Sequence, residues 1–199
     1  MTQPKMLRSA AVTTAALGFT FTALSWASAA PAPAFLSASQ LPPAPTPWTA
    51  GPVSPGLPDD FCTGSTAPPA ASKHRLFHTE LDTGARQTNT VAASEAKAKQ
   101  LVTNLRKQIA NCFDRMRAQN PDLVGTSVYH GALPVEEGAY VYGIDTEDPV
   151  GGTNDAALYA LGRDGRTVTV VAWGQLGDVS AAAVTAFRTT TVTAVAKLH

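Results

Sequence analysis

Residues 156–173 read AALYALGRDGRTVTVVAW, and this stretch decides the fold. Apolar side chains recur at a period of two on either side of Arg163-Asp164-Gly165, and an Asp-Gly pair accepts the positive φ angles that a tight hairpin turn demands. Ala156 to Leu161 and Arg166 to Trp173 are therefore antiparallel neighbours. The same period runs through Thr126 to Leu133 and Ala139 to Asp145, separated by a short turn at Pro134 to Gly138. A longer loop, Thr146 to Asn154, carries Pro149 and Gly151-Gly152. Upstream, KHRLFHTELD from Lys73 to Asp82 alternates as well, placing Leu76, His78 and Glu80 on one side and Phe77, Thr79 and Leu81 on the other.

Between these strands the period changes. From Ala92 to Gln119, Leu101, Leu105, Ile109, Cys112, Phe113 and Met116 recur at steps of three and four, so one face of a long helix is core and the other is wet. Ser94 is placed to cap its start and Asn120-Pro121 ends it, since the residue before proline avoids the helical region. A last helix begins near Asp178 or Ser180 and sets Val184, Phe187, Thr191, Val195 and Leu198 on one face, although Thr189 to Thr193 is β-branched and poor helix material. The expected fold class is α+β, an antiparallel sheet of about five strands in the order β-α-β-β-β-β-α. Both helices are expected on one face of the sheet, as a two-layer sandwich.

The N-terminal residues carry a different message. Lys5 and Arg8 precede an uncharged run from Ser9 to Ala30, and Ala27-Ser28-Ala29 has the small-x-small form of a cleavage site. Residues 1–29 read as a Sec-type signal peptide; the alternative is an uncleaved membrane anchor, against which the many Thr and Ser of the run weigh. No Arg-Arg pair precedes the run, so the twin-arginine route is not expected, and no Cys stands at the cleavage site, so a lipoprotein is not expected. Residues 30–58 hold nine prolines and no charge, which reads as a disordered Pro/Ala-rich linker, either passive or threading cell-wall polymer or a partner. The domain proper is expected over 59–199. Cys62 and Cys112 are the only cysteines, and export to an oxidising compartment predicts a disulfide between them.

Composition excludes more than it assigns. The chain has 199 residues, 15% charged, with a formal net charge of zero and a pI near 6.9. Its scattered Lys and Arg offer no basic patch for nucleic acid. Gly125-Thr126-Ser127 lacks the second glycine of a nucleophile elbow, and His74 and His78 share a strand face without a third metal ligand nearby. Glu136 and Glu137 in a short turn, and Asp145, Glu147, Asp148 and Asp155 around the long loop, are the carboxylates a small hydrolase would use. The aromatic positions give the strongest site: Tyr140 and Tyr142 share a face, and Trp173 falls opposite Val168, Val170 and Ala172 with Thr167 and Thr169. Trp173 is expected to floor a shallow ligand site, with Tyr140, Tyr142 and His130 as secondary contacts.

Phe61-Cys62, the helix carrying Cys112, the strand VTVVAWGQ at Val168 to Gln175 and the closing AFRTTTVTAVAKL together resemble the extracellular sensor domains of actinobacterial PknH-like serine/threonine kinases and their stand-alone secreted relatives. The likeness covers about Asp59 to His199 and rests on hydrophobic patterning, Trp-Gly and an Ala-rich terminal helix. It implies an antiparallel sheet with helices, a cleft, and a ligand bound outside the cell. Family members commonly carry two disulfides, and this chain has cysteines for one. The family supplies no catalytic residues. The expectation is a secreted, non-enzymatic, cofactor-free ligand-binding or sensor-like domain of the cell envelope or extracellular space, free of a stable membrane anchor. Its partner would be a small molecule or cell-envelope component; the alternatives are the carboxylate hydrolase and a structural envelope protein.

Overall fold

The computed structural model describes residues 32–199. The signal-peptide reading and its cleavage site lie outside the described residues. In chain order the elements are β1 (Thr49–Pro55), β2 (Ser72–His78), β3 (Gly84–Val91), α1 (Glu95–Ala110), α2 (Cys112–Gln119), β4 (Val124–Leu133), β5 (Ala139–Asp148), β6 (Thr153–Asp164), β7 (Thr167–Leu176) and α3 (Ala181–Val195). All seven strands join one antiparallel sheet in the order β1-β2-β3-β7-β6-β5-β4. The expected count of about five is corrected by β1 and β3, so three strands precede the helices.

The deciding hairpin forms, with its turn later than the expected Arg163-Asp164-Gly165, because Arg163 and Asp164 belong to β6. Asp164 pairs with Thr167, leaving Gly165 and Arg166 as a two-residue turn in which only Gly165 has positive φ, at 52°. That is the pattern of a type II′ turn, whose twist matches the flanking strands. The loop expected from Thr146 to Asn154 is shorter, because β5 continues to Asp148 and β6 begins at Thr153.

The long helix is two. Asn111, at φ −97° and ψ 11°, leaves the helical region and separates α1 from α2. Ser94 caps α1 by accepting from the Lys97 N–H at 3.2 Å, and Asn120 closes α2 before Pro121. Ser180 caps α3, accepting from the Ala183 N–H at 3.1 Å. The threonine run stays helical with Thr190 and Thr191 buried beside Phe187, Ala194 and Val195, Thr191 and Thr193 donating to the carbonyls four residues back and Thr190 to Gln40 O. Tertiary packing overrides the weak propensity here.

Residues alternate across β5, β6 and β7 with both sides buried. Tyr142, Ile144, Tyr159, Leu161, Val168 and Ala172 meet Leu101, Leu105 and Ile109 of α1. Val141, Leu158, Ala160, Val171 and Trp173 meet Phe187 and Val195 of α3, together with Leu36 and Leu41 from the N-terminal segment. The architecture is thus three layers, with α1 and α2 on one face and α3 on the other, instead of two helices on one face. The near-continuous apolar runs AALYAL and VVAW state the cause, since a strand buried on both faces has no polar side to show.

Cys62 and Cys112 are paired, their Cα atoms 5.1 Å apart, and tie the start of the expected domain to the first residue of α2. The packed unit begins earlier than residue 59, however. Leu36 is fully buried, Leu41 nearly so, and Thr49–Pro55 pairs with β2, which corrects the disordered-linker reading for the described part of 30–58. Prolines at 52 and 55 are compatible with β1 because it is an edge strand. Among the described residues no helix is long and apolar enough to cross a membrane.

Candidate ligand site

The four expected site residues do not converge. Trp173 is 3% exposed and sits in the α3-side core, between Ala85 and Leu158 in the strand register. The face it was expected to share with a ligand is occupied by α3 and by the segment containing Leu36 and Leu41, so Trp173 is corrected from ligand floor to core. Its indole N–H has no partner among the described residues. His130 lies on that same side, half-buried over Gly143, where an added Cβ would run into its imidazole. Burial first, and then the Arg188 cation, lowers the His130 pKa below the ordinary 6.5, against an opposing pull from Asp145. The His130 carbonyl accepts from Arg188 Nη1 at 2.7 Å.

Tyr140 and Tyr142 share the other face, as their spacing on β5 requires, and there they meet two residues that strand patterning did not single out. Tyr129 pairs with Tyr142 across β4 and β5, with ring centroids 5.0 Å apart and planes tilted by 40°. Arg106, on the α1 flank of the core stripe, sets its guanidinium carbon 3.8 Å from the Tyr140 centroid and donates from Nε to the Tyr142 hydroxyl at 3.2 Å. That hydrogen bond is the main influence raising the Arg106 pKa, ahead of the opposing effect of burial. A cation over an aromatic face contributes about 0.5–2 kcal/mol according to its desolvation.

This cluster adjoins an open groove of about 500 Å³ between α2 and β4. Phe113 and Asp114 come from α2, Thr126, Ser127 and Tyr129 from β4, and Tyr142 from β5. Tyr142 is 5% exposed and Tyr129 49% exposed, so one ring is fixed in the wall while the other offers a face to solvent. The signal that would have found Arg106 is its position beside Leu105 and Ile109 on a helix that has to cross a strand bearing two tyrosines.

Two of the candidate carboxylates are committed to turns. Glu137 accepts from Arg163 Nη1 at 3.1 Å and from the Gly165 N–H at 3.0 Å. Asp148 accepts from the Gly151 N–H at 2.8 Å, the Val150 N–H at 3.0 Å and Asn120 Nδ2 at 3.0 Å. The Gly151 N–H leads the causes that hold its carboxyl below the usual carboxylate range, partly opposed by desolvation. Glu137 and Asp148 flank opposite ends of β5, about 30 Å apart at the strand rise, too far to share one scissile bond. Asp145 accepts from the Val179 N–H at 2.8 Å. Glu136, Asp164 and His199 bring potential ligand atoms within 4.8 Å of one another. His199 Nδ1 and Asp164 Oδ2, 3.0 Å apart, account for that cluster as a surface pair. His74 is engaged elsewhere, with Nδ1 3.0 Å from Gly56 O.

No protein-family profile and no curated protein matches the chain. Among solved structures, the extracellular domain of PknH from Mycobacterium tuberculosis is similar over 74% of this chain and 84% of that one, with 13% sequence identity and a TM-score of 0.44.

Proposed function

We propose that the chain is a non-enzymatic ligand-binding or sensor-like module of the extracellular space or cell envelope. The observation that carries this reading is the groove beside Tyr129, Tyr140, Tyr142 and Arg106, in which aromatic surface and hydroxyls line an opening and Asp114 is the one carboxylate among the described lining residues. The Cys62–Cys112 disulfide supports an oxidising compartment. Export with cleavage near Ala30 belongs to the same proposal, and N-terminal sequencing of protein from culture medium tests it.

Binding is tested by screening metabolites and cell-wall fragments for a rise in thermal midpoint. A ligand at a hundred times its Kd stabilises by about 2.7 kcal/mol. Tyr129→Ala should abolish that rise and leave the unliganded midpoint nearly unchanged, because the ring is half exposed. A hit whose stabilisation survives Tyr129→Ala would move the site away from this groove.

A further inference from the structure

The partly buried arginines of this protein share a habit. Arg75, Arg115, Arg163 and Arg188 each end on a backbone carbonyl, and Arg86 ends on Asp60. In each of them at least one Nη is thereby occupied by the protein itself. Arg106 departs from it. Its Nε is held by the Tyr142 hydroxyl and its plane by the Tyr140 ring, yet among the described residues Nη1 and Nη2 carry no hydrogen bond and no carboxylate pairs with it.

We infer that Arg106 is an anion subsite, and that the ligand of the adjoining groove carries a terminal carboxylate or phosphate that the free Nη1–Nη2 edge takes in bidentate fashion. The inference rests on the groove being the ligand site. A guanidinium presents a planar fork that matches both anions, and stacking on a ring is the usual way of holding the fork still. Here the long side chain is immobilised before the anion arrives, so less rotamer freedom is lost on binding. Tyr142 is the physical link, since its hydroxyl holds Arg106 while its ring walls the groove. Asp114, the acid of that groove, stands on α2 beyond the break at Asn111 and makes no ion pair with Arg106. The rest of the ligand then lies along Tyr129 and Phe113, with the hydroxyls of Thr126 and Ser127 within the same groove. An anionic amphipathic molecule, with a charged end and an aromatic or sugar-like body, fits that distribution.

The test uses the purified full chain and four probes: phenyl phosphate, benzoate, uncharged benzyl alcohol and inorganic phosphate. Binding is followed by NMR through the Arg106 Nε–H and the tyrosine ring signals. The expected result is that phenyl phosphate or benzoate binds at least tenfold more tightly than benzyl alcohol, and that inorganic phosphate competes with the charged probe. Arg106→Gln should erase the preference, so that charged and uncharged probes bind equally in the variant. Arg106→Lys, which keeps the charge and loses the fork, should restore only part of it. Equal binding of charged and uncharged probes, or a preference that survives Arg106→Gln, overturns the anion subsite and leaves the groove standing. Absence of any shift at Tyr129 and Tyr142 with all three aromatic probes overturns both readings.

Discussion

At the scale of single residues, Trp173 shows what alternation in a strand can and cannot carry. The pattern of β7 puts Trp173 opposite Val168 and Ala172, and it lies there. Alternation has no term for what covers the second face, and that cover decides between a ligand floor and a core side chain. Trp173→Ala is expected to destabilise the fold by about 3–5 kcal/mol, as for other buried aromatics, measured by urea unfolding; an unchanged midpoint would contradict the buried placement. His130 yields a pH prediction from the same face. Its folded pKa is lowered below 6.5 by burial and then by Arg188, with Asp145 opposing. The unfolded chain therefore takes up the proton first, and the stability that the neutral ring confers is complete above 6.5 and lost as pH falls from there through the folded value. The thermal midpoint should drop more between about pH 7 and pH 5 in the wild type than in His130→Gln. Equal drops would assign the acid sensitivity to other groups.

At the scale of elements, most of the fold was legible where burial follows hydrophobicity. The period of three and four in α1, the caps at Ser94 and Ser180 and the Asp-Gly hairpin all stand in the chain as plain local signals. β3 is the opposite case: in GARQTNTV the buried positions include Gln87, Thr88, Asn89 and Thr90, so a search for apolar alternation passes over a strand near the middle of the sheet. β1 hides behind its prolines. The site was legible in half, since Tyr140 and Tyr142 share a face by arithmetic, whereas Arg106 and Tyr129 reach them only through the placement of α1 and β4. The disulfide joins the turn that holds Cys62 to the start of α2 across a separation of 50 residues. Closing a loop of that length corresponds to about 4 kcal/mol on the chain-entropy account. Replacing both cysteines by serine should cost about that much in denaturant unfolding, while an equally stable reduced protein would show that the Asp60–Arg86 pair and the Arg115 contacts to Phe61 O and Cys62 O suffice to hold this corner.

At the scale of the whole molecule, the buried polar residues of β3 and the proline-rich segment explain each other. An extended segment lying across a sheet face must place every backbone donor and acceptor, and prolines shorten the list of donors. The remaining groups are met one by one. Gln87 Oε1 accepts from the Leu36 N–H at 2.7 Å, Arg75 Nη1 donates to Leu36 O, Asn89 Nδ2 donates to Ala34 O, and the Ala34 N–H donates to Lys197 O. Thr190 supplies the Gln40 carbonyl and the Trp48 indole that of Pro42. Leu36 and Leu41 then close the core above Phe77, Val171 and Trp173. The segment is a strap across the α3-side layer, and removing it uncovers apolar surface while taking the Leu36 N–H away from Oε1 of the fully buried Gln87. Leu36→Ala alone should cost about 2–5 kcal/mol, and Gln87→Ala about 1–3 kcal/mol for the Leu36 N–H left unpaired. Deleting residues 30–41 combines both losses and should exceed either, a large share of the 5–15 kcal/mol typical of a domain. Urea unfolding of the three variants reads this directly. A deletion that unfolds at the wild-type midpoint would return the segment to the status of a passive tether, and the strapped third layer would have to be abandoned.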